Sequence, residues 1–128
     1  MKLKDLAGAH TLSGVDYIFD DHFGNRVLFC LDGITYEAVE NPDDGYRSYM
    51  EELVISDKEC ENKFPKQDVM CEWSCENDRF FGGDDDILSI NDMITKKLVL
   101  KIGTQDVTDY YPACVMEYHP ENMACNRG

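Results

Sequence analysis

Positive charge is what this sequence has too little of. It has 12 Lys and Arg against 26 Asp and Glu, a formal net charge of −14 over 128 residues. The few basic residues never line up as a stripe, so the phosphates of a nucleic acid and an anionic membrane surface are both repelled. Long apolar runs are also missing, and none approaches the ~18 residues of a membrane span. Asp5 and Gly8 break the apolar stretch that a secretory leader would need after Lys2 and Lys4. The expectation is therefore a cytoplasmic protein, with its six cysteines as reduced thiols rather than three disulfides. The GxSxG, HExxH, P-loop and Rossmann glycine patterns are absent too, so no enzyme class is expected.

The acidity is uneven. Met1–Glu40 holds 3 basic and 7 acidic residues, Asn41–Pro65 again 3 and 7, Lys66–Thr95 2 and 8, and Lys96–Gly128 4 and 4. The whole net charge thus lies in the first three-quarters, and its field attracts basic protein surfaces. Asp outnumbers Glu by 16 to 10. Asp suits turns and loop ends where Glu suits helices, which points to a turn-rich fold. The 43% hydrophobic content, with seven Tyr, six Phe and one Trp, is enough for a core. One domain over 1–128 is expected, burying roughly two-thirds of its unfolded surface.

Short β-branched and aromatic runs separated by turn residues mark an antiparallel β-domain. The expected strands are Val15–Asp20, Arg26–Leu31, Ile34–Val39, Val69–Ser74, Ile87–Ile90, Lys97–Ile102 and Ala113–Tyr118. Asp32-Gly33 is a type I′ hairpin signal, and Asn41-Pro-Asp-Asp-Gly45 a second strong turn. Tyr46–Ser56 fits a helix stripe or a strand face, with β-prone Leu53-Val-Ile55 favouring strand. Glu76–Asp86 and the stretch from Gly103 to Pro112 are read as loops. The sum is about eight strands, all-β or β-rich α+β, forming a small antiparallel sandwich or open barrel.

Several groups of residues are candidates for chemistry. Cys71 and Cys75, with His119 and Cys125, would need to converge within a few Å to hold zinc. Four strand steps put Cys71 about 13 Å from Cys75, so ordinary thiols are expected and no metal site is assigned. The oxygen-rich Gly82-Gly-Asp-Asp-Asp86 and Asn41–Gly45 segments lack the alternating acids and distant Glu of a calcium loop. His10, His22 and His119 stand far apart in sequence. No catalytic residue and no cofactor is assigned. What remains is a partner surface where turn chemistry, acids and aromatics coincide. Its residues are Asp43, Asp44 and Tyr46 in the second turn, Asp84, Asp85 and Asp86 in the Gly-Asp loop, and Asp109, Tyr110 and Tyr111 before Pro112. Exposed Tyr beside Asp suits Arg-rich surfaces or polar ligands.

Three blocks carry a family resemblance: His10–Asp16, Leu31–Ser48, and Val99–Pro112 together with Pro120–Met123. On these the chain resembles small acidic proteins encoded by bacteriophages and prophages, a group without an assigned activity. The resemblance covers under half the chain and brings no functional residues. It implies a phage accessory protein acting in the bacterial cytoplasm, and such proteins often block host enzymes that grip nucleic acid.

The leading expectation is thus a non-catalytic inhibitor that occupies a basic surface on a host nucleic-acid-handling or defence protein, as anti-CRISPR and anti-restriction DNA mimics do. Duplex DNA carries one charge per ~1.7 Å, so fourteen charges match about 24 Å of duplex. One face of a 128-residue domain, with a radius of gyration near 14 Å, covers about that length. The alternative is a protein that sequesters a nucleotide signal, for which Arg26, Arg47 and Arg79 are the phosphate-binding candidates. Third comes an enzyme built on carboxylates and a metal.

Overall fold

The structure is a computed structural model that describes residues 1–19, 24–41, 49–75, 85–106 and 112–122. It is all-β. A short 3-10 turn (Leu3–Leu6) precedes eight strands: β1 (Gly8–Ile18), β2 (Arg26–Leu31), β3 (Ile34–Asn41), β4 (Tyr49–Ile55), β5 (Lys63–Ser74), β6 (Asp86–Asp92), β7 (Leu98–Asp106) and β8 (Pro112–Tyr118). All pairings are antiparallel in one open sheet of order β4-β3-β2-β1-β5-β6-β7-β8. Two four-stranded meanders therefore abut through their first strands, β1 and β5.

Twist folds this sheet over on itself. The edge strands β4 and β8 come into contact without forming a ladder. The Met50 N–H on β4 donates to Thr104 Oγ1 on β7 at 3.2 Å, and the Tyr17 hydroxyl on β1 donates to the Met116 carbonyl on β8 at 2.7 Å. Inside the fold, Leu12, Val15, Val27, Phe29, Leu31, Val69, Leu88, Ile90, Leu100 and Ile102 are almost completely buried. Every strand supplies residues to this one core, and Leu3 and Leu6 close one end of it.

Local chemistry explains the turns. Asp32 (φ 55°) and Gly33 (φ 84°) both adopt positive φ, as the type I′ hairpin between β2 and β3 requires. Tyr46–Ser56 resolves to strand where it is described, over Tyr49–Ile55. Three of the expected boundaries shift by four residues or more. β1 begins at Gly8, well before Val15, because Gly8–Leu12 pairs with Gln67–Cys71 of β5. β5 likewise begins at Lys63, ahead of Val69, pairing there with Gly14. The stretch read as loop after Ile102 instead continues β7 to Asp106, since Gly103 and Thr104 pair with both β6 and β8. Cross-strand pairing overrides the local turn propensity of Gly and Asp in each case.

Candidate binding groove

Where β4, β5 and β6 meet the N-terminal 3-10 turn, the folded sheet leaves a groove of about 580 Å³. Its inner wall is apolar: Leu3, Met50 and Leu53. Alternation along β5 buries Gln67, Val69 and Cys71, and the next residue on that face is Trp73. Trp73 sits at the mouth of the groove, 37% exposed, where the core face runs out. The indole is fixed there, its Nε1–H donating to Asp86 Oδ1 at 2.6 Å. Asp85, Asp86, Cys75, Lys2 and Lys4 form the rim. The groove thus offers an aromatic face and two carboxylates, with two ammonium groups also in its lining.

Of the expected partner residues, Asp85 and Asp86 lie on this groove. Asp43, Asp44, Tyr46, Asp84, Asp109, Tyr110 and Tyr111 fall outside the described residues. The strand ends that flank them do come together. Met50 of β4 bonds Thr104 of β7, and Thr104 is the register partner of Asp86 on β6. Three strand ends far apart in sequence therefore lie close together at one corner of the sheet. The sequence does not mark Trp73 as a site residue, because a tryptophan in a β-run reads as core. Its signal was its place as the last inward position of β5.

The groove wall is held by a second polar cluster. His10 Nε2 bonds the Leu6 carbonyl at 2.7 Å, and Nδ1 bonds Asp32 Oδ2 at 2.5 Å. Both partners are oxygens, so the ring is held from both sides. Asp32 Oδ1 accepts the Thr11 N–H at 2.8 Å. The hydrogen bond from His10, helped by that from Thr11, holds the Asp32 carboxyl below its usual pKa. The 3-10 turn that carries Lys2, Leu3 and Lys4 is thereby tied to the β2–β3 hairpin.

A carboxylate with a lowered pKa adds stability in full above about pH 4, and that stability is lost as pH falls through the lowered value. Asp32→Asn should therefore lower Tm by roughly one to four degrees at pH 7, small because the pair is exposed. The gap to the parent should close toward pH 3. A gap that stays constant across that range would show that the ionised carboxylate is not what holds the turn.

The other sequence candidates separate in space. Cys71 is buried in the core, whereas Cys75 is exposed on the groove rim. Among the described residues no group of three or more Cys, His, Asp or Glu is placed to hold a metal ion. Arg26 faces Glu37 across the β2–β3 pair at 3.5 Å, while Arg47 and Arg79 lie outside the described residues. The five described cysteines are all free thiols. No helix among the described residues is long and apolar enough to cross a membrane. No family model, curated protein or solved structure matches this chain.

Proposed function

We propose that this chain is a non-catalytic phage or prophage accessory protein whose acidic surface occupies a basic surface of a host nucleic-acid-handling or defence protein. The observation that carries this reading is where the carboxylates lie. Of the fifteen Asp and Glu whose side chains are described, only Asp92 is buried. The others are exposed or partly exposed, and although Arg26 and Lys63 each pair with one of them, the surface keeps a net negative field, as a mimic of a phosphate backbone requires. The groove adds an anchor. An arginine from the partner can lie over the Trp73 ring and reach Asp85 and Asp86, which combines a cation–π contact with charge-assisted hydrogen bonds.

The test is retention of a host protein from bacterial lysate on the immobilised chain across a salt series. Affinity should fall steeply as salt rises, because exposed charges are screened over about 8–10 Å at 0.1–0.15 M. With the captured protein purified, Trp73→Ala combined with Asp85→Asn and Asp86→Asn should weaken binding at least tenfold, mainly through slower association. Binding that ignores salt and survives this triple substitution would sink the proposal.

A second reading rests on Lys2 and Lys4 lining the same groove as Trp73. A small planar anion, such as a nucleotide, can stack on the indole with its phosphates toward the lysines. Trp73 is the only tryptophan, so its fluorescence reports groove occupancy directly. Quenching by nucleotides at micromolar concentration, with no retained host protein, would favour this second reading.

A further inference from the structure

We infer that Cys30 and Cys60 form a reversible dithiol–disulfide pair that staples the β4–β5 connection onto strand β2. The argument begins from register. In the sheet order β3-β2-β1, Cys30 of β2 is the direct partner of Thr35 on β3 and of Gly14 on β1. Directly paired residues point to the same face, with Cβ positions about 4.5–5.5 Å apart. This is the outer face, because the flanking Phe29 and Leu31 are buried in the core.

Cys60 comes from outside the sheet, on the connection of residues 56–62. Its Cβ lies 3.1 Å from where a Cβ on Gly14 would stand. Gly14 is the direct register partner of Cys30, so Cys60 stands over β1 beside Cys30 on the same face. Cys30 and Thr35 of the next two strands are both among the groups that act on its thiol. The connection is pinned on both sides of this point: Ser56 N–H donates to the Thr35 carbonyl at 2.7 Å, and Val15 N–H to the Asn62 carbonyl at 3.1 Å. Cys60 is 2% exposed although it sits on the outer face, and Cys30 is half-buried. Gly14 leaves the space that lets the two sulfurs meet.

The chemistry follows the exposure. Burial pushes the Cys60 thiol up to about 11, with Cys30 nearby adding to the rise, so Cys60 is a protonated reserve at neutral pH. Cys30 is the side that a peroxide reaches. Its thiolate attacks the O–O bond, giving a sulfenic acid and releasing water once the leaving hydroxide takes up a proton. The Cys60 sulfur then displaces hydroxide from that sulfenic acid. The S–S bond forms, and the thiol proton leaves with the hydroxide as a second water. In sum, two thiols and one hydrogen peroxide give one disulfide and two waters. The bond closes about 30 residues of chain. It also fixes the strap that bears the exposed acids Asp57, Glu59 and Glu61.

The test uses the full chain with Cys75→Ser and Cys125→Ser, which removes the exposed thiol and the one near the terminus. The folded protein is treated with hydrogen peroxide, blocked with N-ethylmaleimide and digested without reduction. The expected product has lost two hydrogens, carries a Cys30–Cys60 cross-linked peptide and reverts with dithiothreitol. Its Tm should rise by roughly 10 °C. Adding Cys30→Ser, a half-buried change checked for folding by circular dichroism, should abolish both effects. Phenylarsine oxide, which bridges adjacent thiols, should bind the reduced folded protein and should not bind that variant. An unchanged mass, a linkage between other cysteines, or folded protein that ignores phenylarsine oxide would each overturn the pair.

Discussion

Alanine at Gly103 is expected to destabilise the protein by about 3 kcal/mol or more, lowering Tm by roughly 10 °C. Gly103 sits at φ 144°, a region L side chains rarely adopt, while paired to both Ile87 and Val115. A Cβ there would collide with the Asp86 carbonyl oxygen and come within 2.8 Å of Ile87 Cα. Both obstacles are backbone, so neither can swing aside as a side chain would. The strain also falls on the site, because Asp86 holds the Trp73 indole. Tryptophan fluorescence in the folded state should shift along with the loss of stability.

Gly14→Ala is the informative control. Its Cβ would meet Cys60 Cβ at 3.1 Å and the Asn62 carbonyl at 3.3 Å. Those atoms belong to a connection rather than to the sheet, so a smaller cost is expected. If Gly103→Ala costs no more than Gly14→Ala, the close β6–β7 approach is not what requires glycine.

Asp92→Ala should be nearly as costly, about 2–4 kcal/mol by denaturant unfolding. Asp92 is 1% exposed and sits at the end of β6. Its Oδ1 accepts the Ile94 and Thr95 N–H groups at 2.8 and 2.7 Å, shaping the turn into β7. Its Oδ2 accepts the Gln67 amide at 2.7 Å. Alanine would strand that buried amide, whose Oε1 has no partner even in the parent.

Asp92→Asn should cost less than half as much. The asparagine oxygen keeps both turn N–H groups, and its NH2 can donate to Gln67 Oε1 once the glutamine amide turns over. The two variants also separate charge from shape. Burial works against the Asp92 carboxylate, but the hydrogen bonds from Thr95, Gln67 and Ile94 outweigh it and hold its pKa below the usual value. Its contribution is therefore complete above about pH 4 and lost as pH falls below it. The Asn variant should lack that part of the acid slope. An Asn variant as unstable as the Ala variant, or with an unchanged acid slope, would argue against this assignment.

Much of the β-architecture could be read locally. β2 matches its expected span because Arg26–Leu31 is dense in β-formers and ends at Asp32-Gly33, whose residues supply the positive φ of the hairpin. The ambiguity at Tyr46–Ser56 had a physical cause, since Tyr46, Tyr49, Met50 and Leu53 match a helical stripe. Pairing with β3 resolves the described part, as β4 finds backbone partners there that a helix would not. The groove was half legible. The Gly-Asp pattern marks Asp85 and Asp86 as acids in a loop, whereas Asp86 opens β6 and takes its importance from Trp73. The indole gave no local sign of being anything but core.

Sequence alone determined the properties that are sums or short-range patterns. These are the net charge of −14, the shortage of basic residues, the alternation that makes strands, and the hairpin at Asp32-Gly33. Each depends on residues acting singly or on near neighbours, so it can be read without knowing the fold. The tertiary structure decided what lies next to what across long stretches of chain. It set Trp73 on Asp86, Thr104 on Met50, His10 between Leu6 and Asp32, and Cys60 against Gly14, the register partner of Cys30. Those contacts depend on the sheet order and on the twist that brings its edges together, and neither is a property of any single segment.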